Sequence, residues 1–238
     1  DNSAVGKDSL AANTTGNDNT ALGDNALAAN TTANGNTAVG SAALVLNSTG
    51  ANNTVVGYLA ADANTTGSSN VSVGKSALSA NTTADANTAV GFNALAANTT
   101  GANNVAIGKD ALDSNTTASN NTAVGVDSLQ ANTTGTQNVA IGANAGKSIT
   151  TGADNTIAGY NAGDAITTAN SNTAYGSASL STTTTGATNT AIGAEALQLN
   201  ETGGSNVAVG YQALEENTTA DNNTAVGSLA LTANTTGA

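Results

Sequence analysis

The chain lacks six residue types altogether, and these absences exclude several kinds of chemistry. Among its 238 residues there is no cysteine, proline, methionine, tryptophan, histidine or arginine. Without histidine and cysteine, the commonest general base, the thiol nucleophile and the soft metal ligands are missing. Zero cysteine neither requires nor excludes an oxidising compartment. Serine, threonine, aspartate, glutamate and lysine are what remain for chemistry.

Positive charge is scarce as well. Four lysines stand against 16 acidic residues, which gives a net charge of −12. Nucleic acids and anionic membrane surfaces bind clusters of lysine and arginine, so we expect neither as a partner. The sequence also has no apolar run long enough to form a membrane-spanning helix, so we expect no membrane insertion. Nothing in the composition indicates a cofactor.

What the sequence does contain is repetition. One 17-residue unit occurs fourteen times without insertion or deletion, with the consensus N-T-A-V-G-x-x-A-L-x-x-N-T-T-G-x-x. Positions 1 to 17 are counted from its first asparagine. A fixed period this short is typical of a solenoid with one coil per repeat. The sequence therefore predicts an all-β, parallel β-solenoid (β-roll) of 14 coils, with residues 1–238 as a single array. Since neither end carries an atypical capping repeat, we expect a segment of a longer solenoid or filament.

Positions 1 to 5 of the repeat predict a strand. Positions 2 and 4 are mostly threonine, valine or isoleucine and share one face by the two-residue period of a strand, so we assign them to the core. Position 3 is alanine in eleven repeats and would face outward. A strand that is apolar on both faces is usually covered on both. We therefore expect a second chain to cover position 3, although small exposed alanines would explain the pattern too.

Three further positions are expected to form ladders between coils. Asparagine at position 1 and glycine at position 5 never vary, and glycine is needed where φ is positive or backbones approach closely. Threonine at position 14 never varies either, and with position 13 it predicts a second short strand whose hydroxyls bond neighbouring coils. Representative ladder residues are Asn19, Asn36, Asn87, Asn121, Gly23, Gly40, Gly91, Gly125, Thr32, Thr49, Thr100 and Thr134.

Two repeats exchange side-chain volume between positions 9 and 12. Gly146 and Gly163 replace the leucine that is usual at position 9, and the same repeats carry Ile149 and Ile166 in place of asparagine at position 12. Protein cores tolerate exchanges that conserve volume and resist cavities. Positions 9 and 12 are therefore expected to point into one shared space. Repeats 9 to 11 (residues 138–188) are the most divergent, either through drift or because they form a bend or a binding patch.

The asparagine at position 12 supports two interpretations. It begins an Asn-x-Thr sequon in eleven repeats, so the chain could carry a glycan coat. Stacked amides can instead satisfy one another in a buried ladder, and the exchange with isoleucine favours this second interpretation. The candidate glycosylation sites are Asn13, Asn30, Asn47, Asn64, Asn81, Asn98, Asn115, Asn132, Asn200, Asn217 and Asn234.

The repeat resembles two groups of surface proteins. The segments at 104–108 and 138–142, both Asn-Val-Ala-Ile-Gly, are similar to the YadA-like head repeats of trimeric autotransporter adhesins. The segment at 206–214, Asn-Val-Ala-Val-Gly-Tyr-Gln-Ala-Leu, resembles tail-fibre-type surface repeat arrays. The resemblance spans the whole chain. It implies a left-handed parallel β-roll, usually trimeric, that is extracellular on a cell surface or part of a virion fibre.

The leading hypothesis for function is a non-enzymatic structural shaft of an extracellular fibre or adhesin. Its partners would be copies of itself, in a lateral trimer or an end-to-end filament, and an extracellular glycan or matrix polymer bound multivalently. The alternative is an ice-binding β-solenoid, since position 14 supplies a row of threonines. A face shared with position 12 would then carry Asn-x-Thr, because alternate residues share a face.

Metal binding and catalysis have weaker support in the sequence. The acids are scattered over many repeat positions, and no Gly-Gly-x-Gly-x-Asp calcium-binding unit occurs. No pair of chemically active residues recurs, and no repeat carries the long irregular loops that would form a cleft. We therefore expect no catalytic residues and no metal site.

Overall fold

The structure, a computed structural model, describes residues 1–237 and is built of strands and turns alone. No helix occurs in these residues. The chain divides into two compact units, Asp1–Asn120 and Asn121–Ala238, each with one strand per repeat. The predicted all-β, parallel β-solenoid with one 17-residue coil per repeat is confirmed.

Each strand is three residues long and covers positions 2 to 4 of its repeat. In the first unit the strands are β1 (Ser3–Val5), β2 (Thr20–Leu22), β3 (Thr37–Val39), β4 (Thr54–Val56), β5 (Val71–Val73), β6 (Thr88–Val90) and β7 (Val105–Ile107). In the second they are β8 (Thr122–Val124), β9 (Val139–Ile141), β10 (Thr156–Ala158), β11 (Thr173–Tyr175), β12 (Thr190–Ile192), β13 (Val207–Val209) and β14 (Thr224–Val226).

Within each unit every strand pairs in parallel with the strand of the next coil, at a constant offset of one repeat. In the first unit Ala21 pairs with Ala38, and in the second unit Ala191 pairs with Ala208. Because no repeat gains or loses a residue, this register never slips. Equivalent positions therefore form straight columns, each named below by its repeat position.

The strands turn position 3 inward, so the predicted orientation of the strand is wrong. Ala38, Ala89 and Ala191 are fully buried, whereas positions 2 and 4 on either side of them are half-buried or exposed. A coil this short encloses little space, and leucine at position 9 fills most of it, so the strand has room for only a small residue. The expectation that a second chain covers position 3 loses its basis.

Leucine at position 9 reaches the core from a turn with an uncommon backbone. Residues at positions 7, 9 and 17 have left-handed φ in both units; in one coil these are Asn25 (φ 56°) and Leu27 (φ 53°), preceded by Asp18 (φ 59°). Asparagine, aspartate and glycine tolerate this region, but leucine does so at a cost of roughly 1–2 kcal/mol. Full burial of Leu27, Leu44 and Leu95 compensates for that cost.

The second predicted strand, at positions 13 and 14, does not occur in residues 1–237. Thr14, Thr15 and their equivalents form bends. The backbone N–H groups of Thr14 and Thr15 both donate to the carbonyl oxygen of Thr31, at 2.9 and 3.1 Å. Successive N–H groups of a strand point to opposite sides, so two that converge on one carbonyl cannot belong to a ladder of strands.

Candidate functional site

The asparagines at position 1 form a buried ladder in each unit. The Oδ1 atom of Asn19 accepts a hydrogen bond from the backbone N–H of Asn36 (2.9 Å), and the Nδ2 of Asn36 donates to the carbonyl of Gly50 at position 15 of its own coil (2.8 Å). Asn87 makes the same two kinds of bond, and Asn121 does so toward Gly135 and Asn138. Each amide thus closes its own coil and joins a neighbour.

The asparagines at position 12 form a second ladder of a different kind. The Nδ2 of Asn64 donates to Oδ1 of Asn47 in the preceding coil (2.9 Å) and to the carbonyl of Gly67 in its own coil (3.0 Å). The carbonyl of Gly67 also accepts a hydrogen bond from the position-1 residue Asn53 (2.9 Å). The position-15 carbonyl therefore has two amide donors and keeps one if position 12 changes.

This arrangement bears directly on the candidate glycosylation sites. Nine of them are at most 1% exposed, and their Nδ2 groups donate to carbonyl oxygens of their own coils. An amide that is buried and engaged in this way has no room for a sugar. The nine are Asn30, Asn47, Asn64, Asn81, Asn98, Asn115, Asn132, Asn200 and Asn217. Asn13 and Asn234, in the first and last coils, are half-buried. The structure thus favours the buried ladder over the glycan coat.

Glycine at position 5 is required by a close approach between coils. A Cβ atom on Gly91 would overlap the carbonyl oxygen of Gly108, and the φ of Gly91, +139°, is one that L side chains rarely adopt. The other three glycines predicted for this column, Gly23, Gly40 and Gly125, have the same surroundings. The column is structural and turns the chain at the end of each strand.

The threonine ladder lies one residue earlier than predicted. The hydroxyls of Thr65 and Thr99, at position 13, donate to the carbonyls of Thr82 (2.9 Å) and Thr116 (3.0 Å) in the next coil. The predicted column at position 14 is exposed in every repeat, as at Thr32, Thr49, Thr100 and Thr134. Within residues 1–237 the hydroxyls of these four threonines make no hydrogen bond. The position-14 side chains face solvent because the bend turns them outward.

Positions 9 and 12 do share one space in the divergent repeats. A Cβ atom added to Gly146 would lie 3.1 Å from the Cδ1 atom of Ile149 and 3.2 Å from that of Ile157. At Gly163 the corresponding distances to Ile166 and Ile157 are 2.9 and 3.0 Å. Ile157, at position 3, adds volume that the sequence argument overlooked. Both glycines keep the left-handed φ of position 9, at 58° and 54°, which glycine adopts without strain.

The strand residues at positions 2 and 4 form the surface that we call the outer face. It combines aliphatic side chains with threonine hydroxyls and is partly exposed in both units: Ile107 is 40% exposed, Ile141 48% and Tyr175 64%. None of its 28 residues, two in each of 14 repeats, is charged. Exposed aromatic residues follow the strands at position 6, at Tyr58, Phe92, Tyr160 and Tyr211. The lack of charge was visible in the sequence, but the buried positions 1 and 3 are uncharged as well, so it did not identify this face.

Three acidic groups at position 10 have altered acidity. Burial raises the pKa of the Asp62 carboxyl, and backbone hydrogen bonds at Asp62 and Ala63 lower it in part. Burial likewise raises the pKa of Asp164, where backbone hydrogen bonds and the charge of Lys147 act in the opposite direction. Burial and the nearby charge of Asp110 raise the pKa of Asp113. These carboxyls lie in separate coils, so they form no catalytic pair.

Two kinds of site are absent from the described residues. Residues 1–237 contain no group of three or more acidic side chains placed to hold a metal ion. No pocket is present among these residues within either unit. The described part of the chain also has no helix that is long and apolar enough to cross a membrane. What the geometry provides is a set of repeated columns, some buried and some facing outward.

Comparisons with protein-family models, with curated proteins and with solved structures find no match to this chain.

Proposed function

We propose that the chain is a structural, non-enzymatic shaft of an extracellular fibre or adhesin. The observation that supports this proposal is the pair of buried asparagine columns that link successive coils in each unit. A hydrogen bond of this kind contributes about 1 kcal/mol net, and a buried amide left without its partner costs about 1–3 kcal/mol. Separating two coils would break several such bonds at once, so the coils resist being pulled apart.

The surface of such a shaft repeats as regularly as its core. Each coil presents the same outward positions, and the next coil presents them again about 4.8 Å further along. A ligand that is itself a repeating polymer, such as an extracellular glycan or matrix polymer, would meet many weak contacts at once. Linked contacts bind far more tightly than single ones when the spacing allows simultaneous engagement. A cell surface or virion is the setting that the resemblance of the repeat implies.

Stretching single molecules between their ends tests the shaft. We expect the chain to resist extension and then to unfold in discrete steps, because the coils of a unit support one another. Asn87→Gly removes one position-1 amide and should lower the unfolding force, with a loss of about 1–3 kcal/mol at equilibrium.

Asn103→Gly is the matched control, because it makes the same change in the same region of the chain at an exposed residue whose left-handed φ glycine accepts. The control should unfold like the unchanged chain. If the unchanged chain extends smoothly at low force, like a flexible polymer, the shaft proposal is wrong.

A further inference from the structure

We infer that the outer face, formed by positions 2 and 4 of the strands, binds ice. The inference goes beyond a mechanical role and does not depend on it. Its basis is the combination of a fixed two-dimensional spacing, the complete lack of charge and a column of threonine hydroxyls that the protein itself leaves unbonded.

The side chains of the outer face are regularly spaced in two directions. Columns 2 and 4 are about 6.6 Å apart along a strand, and successive coils are about 4.8 Å apart. The parallel register is constant within each unit, as in the series Thr20, Thr37 and Thr54. Each unit therefore presents a rectangular array of side chains. Water molecules in ice occupy a repeating lattice, and only a surface that repeats in two dimensions can match it over many sites.

Most side chains in this array are β-branched. Position 2 is threonine in nine repeats, valine in four and serine in one. Threonine and valine have nearly the same shape, and both are stiff at χ1, so the column presents methyl groups at fixed places. Position 4 adds valine or isoleucine in eleven repeats. Rigid methyl groups order the first layer of water, and threonine hydroxyls can join that layer by hydrogen bonds.

The outer face carries no charged side chain. All 20 charged residues of the chain lie at positions other than 2 and 4. A neutral face matches a neutral ligand, and ice is neutral, whereas a charged side chain holds a hydration shell that is costly to remove and is oriented around the charge, not along an ice lattice. A chain with a net charge of −12 has ample charge to place on a surface. None of that charge lies on the outer face or on the exposed threonines of position 14, so an uncharged partner suits both exposed columns.

The threonine hydroxyls of the outer face differ from those at position 13. Threonines at position 13, such as Thr65, donate to backbone carbonyls of the next coil. The threonine hydroxyls of the outer face, in contrast, make no hydrogen bond within residues 1–237. These include Thr54, which is exposed, and Thr88, which is half-buried. Hydroxyls that point outward without an internal partner are free to bond ordered water.

A second copy of the chain is a poorer occupant of the outer face. Seven strands of three residues present a footprint of roughly 340 Å² in one unit. The face of one unit is therefore smaller than the roughly 600–1,000 Å² that each partner buries in a standard interface. A dry contact would also bury the threonine hydroxyls without partners, at about 1–3 kcal/mol each. Ice would instead supply those partners.

The test uses the full chain and two variants of one repeat. Thr54→Lys places a charge in the outer face, and Thr66→Lys makes the same change at position 14, on the other exposed threonine column. Thermal hysteresis, the gap between the melting and freezing temperatures of a seeded ice crystal, is measured for all three proteins. Circular dichroism and thermal unfolding check that each variant is folded, and light scattering gives the molar mass.

We expect hysteresis and inhibition of ice recrystallisation from the unchanged chain, most of which is lost in Thr54→Lys and kept in Thr66→Lys. Three results would overturn the inference. The first is an unchanged chain without either activity. The second is an activity that Thr66→Lys abolishes and Thr54→Lys leaves intact, because the ice-binding column would then be position 14. The third is a stable dimer that Thr54→Lys dissociates, because the outer face would then be an interface between copies.

Discussion

The two units differ in the residues that fill the core at position 12. The first unit has asparagine there in all seven repeats, whereas the second has it in four and places Ile149, Ile166 and Thr183 in the others. Asparagine at position 1, by contrast, never varies in either unit. In repeat 9, where position 12 is Ile149, the position-15 carbonyl of Gly152 still accepts a hydrogen bond from Asn138 (2.8 Å).

This difference shows which ladder is essential. The position-1 amide bonds two backbone groups: the N–H of position 1 in the next coil and the carbonyl of position 15 in its own coil. Within residues 1–237, no other side chain of the repeat bonds that N–H group. The position-12 amide shares its carbonyl with position 1 and otherwise bonds another amide of its own column. It can therefore be replaced, provided that the volume of the core is kept constant.

The largest loss of stability should come from placing glycine at position 9 of a first-unit repeat without the isoleucine that accompanies it in the second unit. Leu95→Gly empties the position-9 site and should cost about 2–5 kcal/mol of unfolding free energy. Glycine adopts the left-handed φ of Leu95 (55°) without strain, so we expect a loss of unfolding free energy at the lower end of this range. Urea unfolding measures it, with exposed Leu46→Gly as the control, for which we expect under about 1 kcal/mol.

Adding Asn98→Ile to Leu95→Gly reproduces the pair found in repeat 9 and should recover part of the loss. The coupling energy of the two changes should be about 0.5–3 kcal/mol in favour of the double variant. Strict additivity of the two changes would show that positions 9 and 12 do not share space in the first unit.

A smaller effect should follow from the reverse change in the second unit. Gly146→Leu inserts a side chain where Ile149 and Ile157 already lie within 3.2 Å of a new Cβ, and it should cost about 1–3 kcal/mol. Adding Ile149→Asn restores the usual pair and should return part of the stability. Differential scanning calorimetry of the single and double variants measures both steps, and a stable single variant would contradict the crowding seen around Gly146.

The smallest effect concerns pH. The raised pKa of Asp62 and Asp164 means that the folded chain binds their protons more tightly than the unfolded chain does. The free energy of unfolding should therefore rise as the pH falls through the folded-state pKa, and this gain should be complete below the unfolded value of about 3.9. Unfolding at neutral and at mildly acidic pH measures the rise.

Asp62→Asn and Asp164→Asn should each reduce the rise, because each removes a carboxyl whose pKa burial raises. Asp154→Asn, at an exposed carboxylate, is the control and should leave the rise in place. Equal pH dependence in all three variants would exclude these two carboxyls as its source.

Much of the fold could be predicted from the sequence because the repeat reports stacking directly. The 17-residue period predicted one coil per repeat. The occurrence of Gly146 and Ile149 in the same repeat predicted that positions 9 and 12 share one space. The burial of asparagine at position 12 followed from the same coincidence. These predictions were possible because residues at equivalent repeat positions stack on one another, so a single sequence shows which side chains are neighbours.

The direction of the strand could not be read from side-chain size. The large side chains of valine and isoleucine at position 4 predicted that this position faces the core. Leucine at position 9 fills the core instead, so only the small residue at position 3 fits inside beside it. The sequence did contain the correct signal. Val55 and Ile157, the large residues at position 3, occur in the repeats where Ala61 and Gly163 replace leucine. Neither the outer face nor the bend at position 14 could be placed without the direction of the strand.

The constant one-repeat offset between bonded partners also has a consequence for inheritance. Recombination between equivalent positions of any two repeats removes or adds a whole number of coils. The coils on the two sides of the junction then pair in the same register as before. The new neighbours then find the same amides, glycines and carbonyls that the old neighbours offered. The number of coils can therefore change from one generation to the next without a new fold having to arise, and a designer could set it in the same way.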